Sequence, residues 1–112
     1  MAYDEFLADR VRIELDAQKA QYTELNMMGG LCFMVDDKMC VGVVKDQLMA
    51  RIDPEIYEDA LSKPGASQMN FTGRPMKGFV FVSPDGLDTD NDIAYWVELC
   101  LEFNPRAKSS KS

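Results

Sequence analysis

The stretch FTGRPMKGFVFV, residues 71–82, sets Arg74 and Lys77 between Gly73 and Gly78, around Pro75. Arg74 offers a planar fork that matches a carboxylate or phosphate, and Lys77 adds a mobile point charge. Gly73 and Gly78 permit close backbone approach or unusual φ. Pro75 lacks an N–H, so the connection is not an undisturbed central strand. Two arrangements satisfy this spacing. One is an anion cradle made by Gly73, Arg74, Met76, Lys77 and Gly78, with converging backbone N–H groups and Arg10 or Arg51 brought in from elsewhere. The other is a shaped turn in which Arg74 is held by a carboxylate of the same domain or a dimer mate, while Lys77 stays solvated. Charge balance favours the turn, because nineteen Asp and Glu face twelve Lys and Arg.

Other chemistries lack their residues. The chain has no histidine, which removes His-based triads and most zinc and iron sites. It has no C-x-x-C pair, no G-x-G-x-x-G after a strand and no P-loop lysine, so no cofactor is expected. Asp88, Asp90 and Asp92 match the first three ligand positions of a calcium loop, but Ile93 stands where that loop needs Gly and Leu99 where it needs Glu. No metal is expected, and the aspartates suit the first turn of a helix, where negative charge is favoured. Cys32, Cys40 and Cys100 lie in apolar segments and read as buried, reduced thiols of a cytoplasmic protein. No paired catalytic arrangement is visible, so a non-enzymatic protein is expected.

At 112 residues the chain fits one domain. Its formal net charge is -7, and setting aside Arg106, Lys108 and Lys111 leaves -10 over residues 1–104. Such a body repels a phosphate backbone, so direct DNA binding is disfavoured. The expected division is a folded domain over 1–104 and a basic disordered tail over 105–112. The N-terminus carries acids where a signal peptide needs cations, and no apolar run is long enough to span a membrane.

Residues 3–18 predict a helix with Phe6, Leu7, Val11 and Ile13 on a broad apolar arc. Arg10 falls inside that arc, as a snorkelling side chain or as a cation held for a carboxylate. Residues 24–52 hold three or four strands, with DDK as a hairpin connection whose register is uncertain by one residue. A tight turn there would prefer Gly after the first Asp. Asp53 as N-cap and Pro54 as N1 start a short helix. QMNFTG and KGFVFV form two strands joined through RPM. The last helix spans DTDNDIAYWVELCLEFN, with Ile93, Trp96, Val97, Cys100 and Leu101 at helical spacing.

This order predicts an α+β fold of two layers, a mainly antiparallel sheet with helices on one face. MMGGLCFMV and MCVGVV are apolar at both parities, so the second face needs a cover or lies inside a curved sheet; a homodimer is the expected cover. Met27, Met28, Met34, Met39, Met49, Met69 and Met76 lie in or beside strands, as plastic core or as an adaptable binding face.

MMGGLCFMVDDKMCVGVV, DQLMARIDPEIYEDAL, FTGRPMKGFVFV and DNDIAYWVELCLEFN resemble, in order, the N-terminal domain of the TfoX/Sxy family, over about Tyr3 to Asn104. That family is named for bacterial regulators of natural competence. The resemblance implies a stand-alone short form with a secretion-chaperone-like α+β fold. It also implies a cytosolic interaction module that acts through protein contacts, with transcription machinery or a regulator as partner. From the residues alone, a small-anion or metabolite-binding protein using the GRPMKG connection stays open beside it.

Overall fold

A computed structural model describes residues 3–27, 29–70 and 75–107. Helix α1 (Glu5–Ala17) begins where Asp4 caps it, its carboxylate accepting the N–H groups of Phe6 and Leu7. Four strands follow: β1 (Thr23–Met27), β2 (Gly30–Val35), β3 (Lys38–Val44) and β4 (Gln47–Arg51). A 3₁₀ turn leads into helix α2 (Tyr57–Leu61), then come β5 (Ala66–Asn70), β6 (Pro75–Val82) and helix α3 (Asp90–Phe103). The six strands form one sheet in the order β1-β2-β3-β4-β6-β5, and every pairing is antiparallel. The expected α+β architecture is the one present.

Local chemistry sets the element ends. Asp53 caps the turn at Pro54, accepting the Glu55 N–H at 2.9 Å. At α3, Thr89 and Asp92 form a reciprocal capping box, and Asp90 and Asp92 occupy the first turn. The β2–β3 loop is Asp36-Asp37, with φ of 54° and 63°, so two aspartates adopt the left-handed conformation that glycine usually supplies.

All three helices pack on one face. Leu7, Val11 and Leu15 of α1, Tyr57 and Ala60 of α2, and Ile93, Trp96, Val97 and Cys100 of α3 share a core with Phe33, Val41, Val43, Leu48, Val80 and Val82 of the sheet. The arc expected on α1 is corrected here. Phe6 and Ile13 are 77% and 68% exposed, and the buried stripe is Leu7, Ala8, Val11 and Leu15. At about 100° per residue the two stripes lie on opposite sides of the helix. The small Ala8 lets the buried stripe sit close, so α1 turns that side inward.

The opposite sheet face holds a second cluster of Cys32, Met34, Met39 and Met49, with Val44, Phe79 and Phe81 packed around it and no helix residue among them. Cross-strand register aligns Leu25, Cys32, Gly42, Met49, Phe81 and Ser67 in one row. A β-bulge divides the apolar residues of β3. Phe33 faces Val41 and Met34 faces Met39, which leaves Cys40 as the additional residue. Cys40 therefore joins Val41 in the helix-side core, while Met39 joins Met34 in the second cluster.

The body does not end at residue 104. Residues Asn104–Arg106 form a 3₁₀ turn, and Ala107 is buried. The Asn104 amide donates to the Val35 carbonyl at 3.1 Å, and Lys38 Nζ donates to the Asn104 carbonyl at 3.2 Å. Arg106 pairs with Asp53 at 2.7 Å. The tail expected from residue 105 thus begins as folded structure, and residues 108–112 lie outside the described residues.

Tyr57 is buried, and its hydroxyl has no hydrogen-bond partner among the described residues. Leaving a buried hydroxyl unmet costs about 1–3 kcal/mol. Tyr57→Phe is therefore expected to leave stability unchanged or raise it by about 1 kcal/mol in urea unfolding. A loss of that size would mean that the hydroxyl is bonded in the folded protein.

Candidate functional site

Arg10 and Arg51, the two outlying cations of the expected set, line different cavities. Gly73 and Arg74 lie outside the described residues; for Met76 and Lys77 the backbone runs in β6 and the side chains are not described. Neither the cradle nor the Arg74 carboxylate pair is therefore addressed by the described residues. Gly78 is described, and its φ of +93° is one that L side chains rarely adopt. This geometry directs the Gly78 carbonyl to the Ile52 N–H at 2.8 Å, where β6 departs from β4.

Arg51 stands beside that departure. It is the last residue of β4, paired across the sheet with Phe79, and its guanidinium lies 5.4 Å from the centre of the Phe79 ring. Arg51, Ile52, Pro54, Gly78, Phe79 and Phe103 line a cavity of about 90 Å³. Of the expected set, the structure thus brings together Arg51 and Gly78. Burial lowers the Arg51 pKa, yet a guanidinium stays charged in proteins. Among the described residues no carboxylate forms an ion pair with it. The cavity's volume is well below that of small-molecule pockets, about 300–1,000 Å³.

Arg10 lines a different cavity. Its stem is half-buried and its head lies 3.6 Å from Asp90, whose side chain is almost fully exposed. This is the snorkelling geometry, with the charge delivered to the rim. The strongest ion pair at the surface had no counterpart in the sequence reading. Arg12 holds Glu24 of β1 through two hydrogen bonds of 2.7 and 2.9 Å and also reaches Asp9. That pairing lowers the Glu24 pKa. The Asp53 carboxyl is lowered too, first by the Glu55 amide and then by Arg106.

The thiols are withheld from solvent. Burial pushes Cys32 up to about 11 and Cys40 up to about 12, the latter against the opposing pull of Arg51. Cys100 is raised well above the ordinary thiol value by burial, with Cys40 close enough to add repulsion. None of the three forms a disulfide. A thiol that must stay protonated is a poor nucleophile.

The family described as the TfoX N-terminal domain matches residues 14–104. These residues make up most of the 112-residue chain, and the chain belongs to this family. No curated protein and no solved structure matches it. Among the described residues no helix is long and apolar enough to cross a membrane.

The thiol environment sets an expected outcome. Native protein at pH 8 should resist a maleimide or a disulfide dye at Cys32, Cys40 and Cys100, and all three should react once urea is added. The sign agrees with linkage. A pKa raised by folding leaves stability intact below the unfolded thiol value of about 8.5 and erodes it as pH rises toward the folded values. Rapid native labelling of one thiol would identify an accessible nucleophile.

Proposed function

We propose that this domain is a non-enzymatic cytoplasmic interaction module that serves transcriptional regulation through protein contacts. The observation that carries this is the exposure of Phe6 and Ile13 on one face of α1, in a domain whose core is otherwise closed. Large apolar groups left exposed on one helix face, two turns apart, offer anchor points to a partner. Membership in a competence-regulator family supports the same conclusion. The buried thiols favour it over cysteine chemistry. A formal charge of -7 favours a protein partner over a nucleic-acid one.

A second copy is the occupant we propose for the helix-free sheet face. The methionine cluster there is already 0–8% exposed within one chain. The contact would therefore rest on the half-buried rim of Val44, Phe79 and Phe81 and on the exposed Leu25. Light scattering should report about twice the chain mass of 12.6 kDa. A strict monomer at ~100 μM, well above micromolar affinities, would remove the dimer.

The module itself is tested by affinity capture with the full chain from native cytoplasmic extract. A stoichiometric protein partner is expected. Recovery of a small anion and no protein would favour the ligand-binding alternative.

A further inference from the structure

We propose that the N-terminal half of α1 and the groove beside it dock a basic peptide segment carrying an apolar anchor. This inference deepens the protein-contact function and rests on it. Phe6, Arg10 and Ile13 fall on the side of α1 that turns away from the core. Next to Phe6 a groove of about 210 Å³ opens between α1, the β3–β4 turn and the segment before α3. Its apolar lining comes from Phe6, Leu7, Pro84 and Leu87. That volume is below the range of small-molecule sites, about 300–1,000 Å³, and suits one inserted side chain.

The charge around the groove selects the partner. Asp4, Asp46 and Asp88 line it, against the single cation Arg10. Arg10 in turn leans on Asp90, while the exposed Asp9 of α1 is already paired with Arg12 and leaves Asp4, Asp46 and Asp88 as the acids of the rim. A second copy docking by the same face would set these acids against their own equivalents, since a two-fold contact is self-complementary. A segment bearing Lys or Arg beside a Leu- or Phe-like anchor meets the floor with its apolar group and the rim with its cations. Such complementarity steers association and rejects acidic competitors.

The test uses the full chain and labelled synthetic peptides in fluorescence anisotropy. The probes are a 14-residue peptide of Leu and Lys at helical spacing, its Leu/Glu counterpart, and a Gly/Ser/Lys peptide of equal charge. The Leu/Lys peptide should bind with an affinity that falls as salt rises, and the other two should bind far more weakly. Phe6→Ser should weaken it by about tenfold, the loss expected of one anchor residue. The pair Asp46→Asn and Asp88→Asn should do the same. The control pair Glu58→Gln and Glu102→Gln removes equal charge elsewhere and should change binding less than about twofold, as peripheral charges do.

Equal losses from the two charge pairs, tight binding of the Gly/Ser/Lys peptide, or no effect of Phe6→Ser would each overturn the proposal. So would a wild-type dimer that Phe6→Ser and Ile13→Ser convert to monomer, because the face would then belong to a second copy. The site and the broader function fail separately. A captured protein partner that survives Phe6→Ser and Ile13→Ser removes this groove and leaves the contact module standing. Peptide binding at the groove with no protein captured from extract keeps the groove and removes the regulatory module.

Discussion

The additional residue at Cys40 is the constraint on which the rest of the sheet depends. Side chains alternate along a strand, so a shift of one residue moves every later side chain to the opposite face. In β3 the bulge makes that shift between Met39 and Val41. Val41 and Val43 then meet the helices, while Met39 and Gly42 remain on the far side with Met34 and Met49. With an unbroken ladder, Met39 would turn to the helix side and the smaller Cys40 would take its place opposite Met34 in the far cluster. The membership of the methionine cluster and the division of β3 between the two faces follow from where this offset falls.

Both faces of the sheet are apolar, yet only one carries helices. The uncovered face closes by compact use of small and flexible groups. Gly42 leaves space that the Met49 methyl occupies, since a Cβ there would stand 2.9 Å from it. Cys32 flanks the same gap. Methionine suits such a place because its unbranched side chain adapts to irregular shape. At element ends, by contrast, Asp4, Asp53 and Asp92 each satisfy backbone N–H groups.

Much of this was legible in the sequence. The spacing of Ile93, Trp96, Val97 and Cys100 named α3 correctly, Pro54 after Asp53 marked the 3₁₀ turn that leads into α2, and apolar runs with short polar connections named the strands. What stayed hidden depends on distance in space. Asp36 and Asp37 do not announce a left-handed turn, so the bulge could not be placed. The α1 residues offered two apolar stripes, and only packing decides that Ala8 and Leu15 face inward while Phe6 and Ile13 face out. The Arg51–Phe79 stack joins residues whose register is fixed by β6 inserting between β4 and β5. The equivalence of cations in composition concealed their separation: Arg10 serves a rim, Arg51 a ring face and Arg12 a cross-element clasp to Glu24.

The strand order also sets how the sheet can assemble in time. Four of its five ladders are hairpins closed by short connections: β1–β2, β2–β3, β3–β4 and β5–β6. The fifth, β4–β6, pairs Arg51 with Phe79 and Leu48 with Val82, partners 28 to 34 residues apart in the chain. Loop-closure entropy grows with that separation, and non-local pairings slow folding. The hairpins can form early as two separate units, the meander of β1 to β4 and the ribbon of β5 and β6. Their joining along one seam is then the late, cooperative event, with α2 as the tether that sets the effective concentration of one unit for the other.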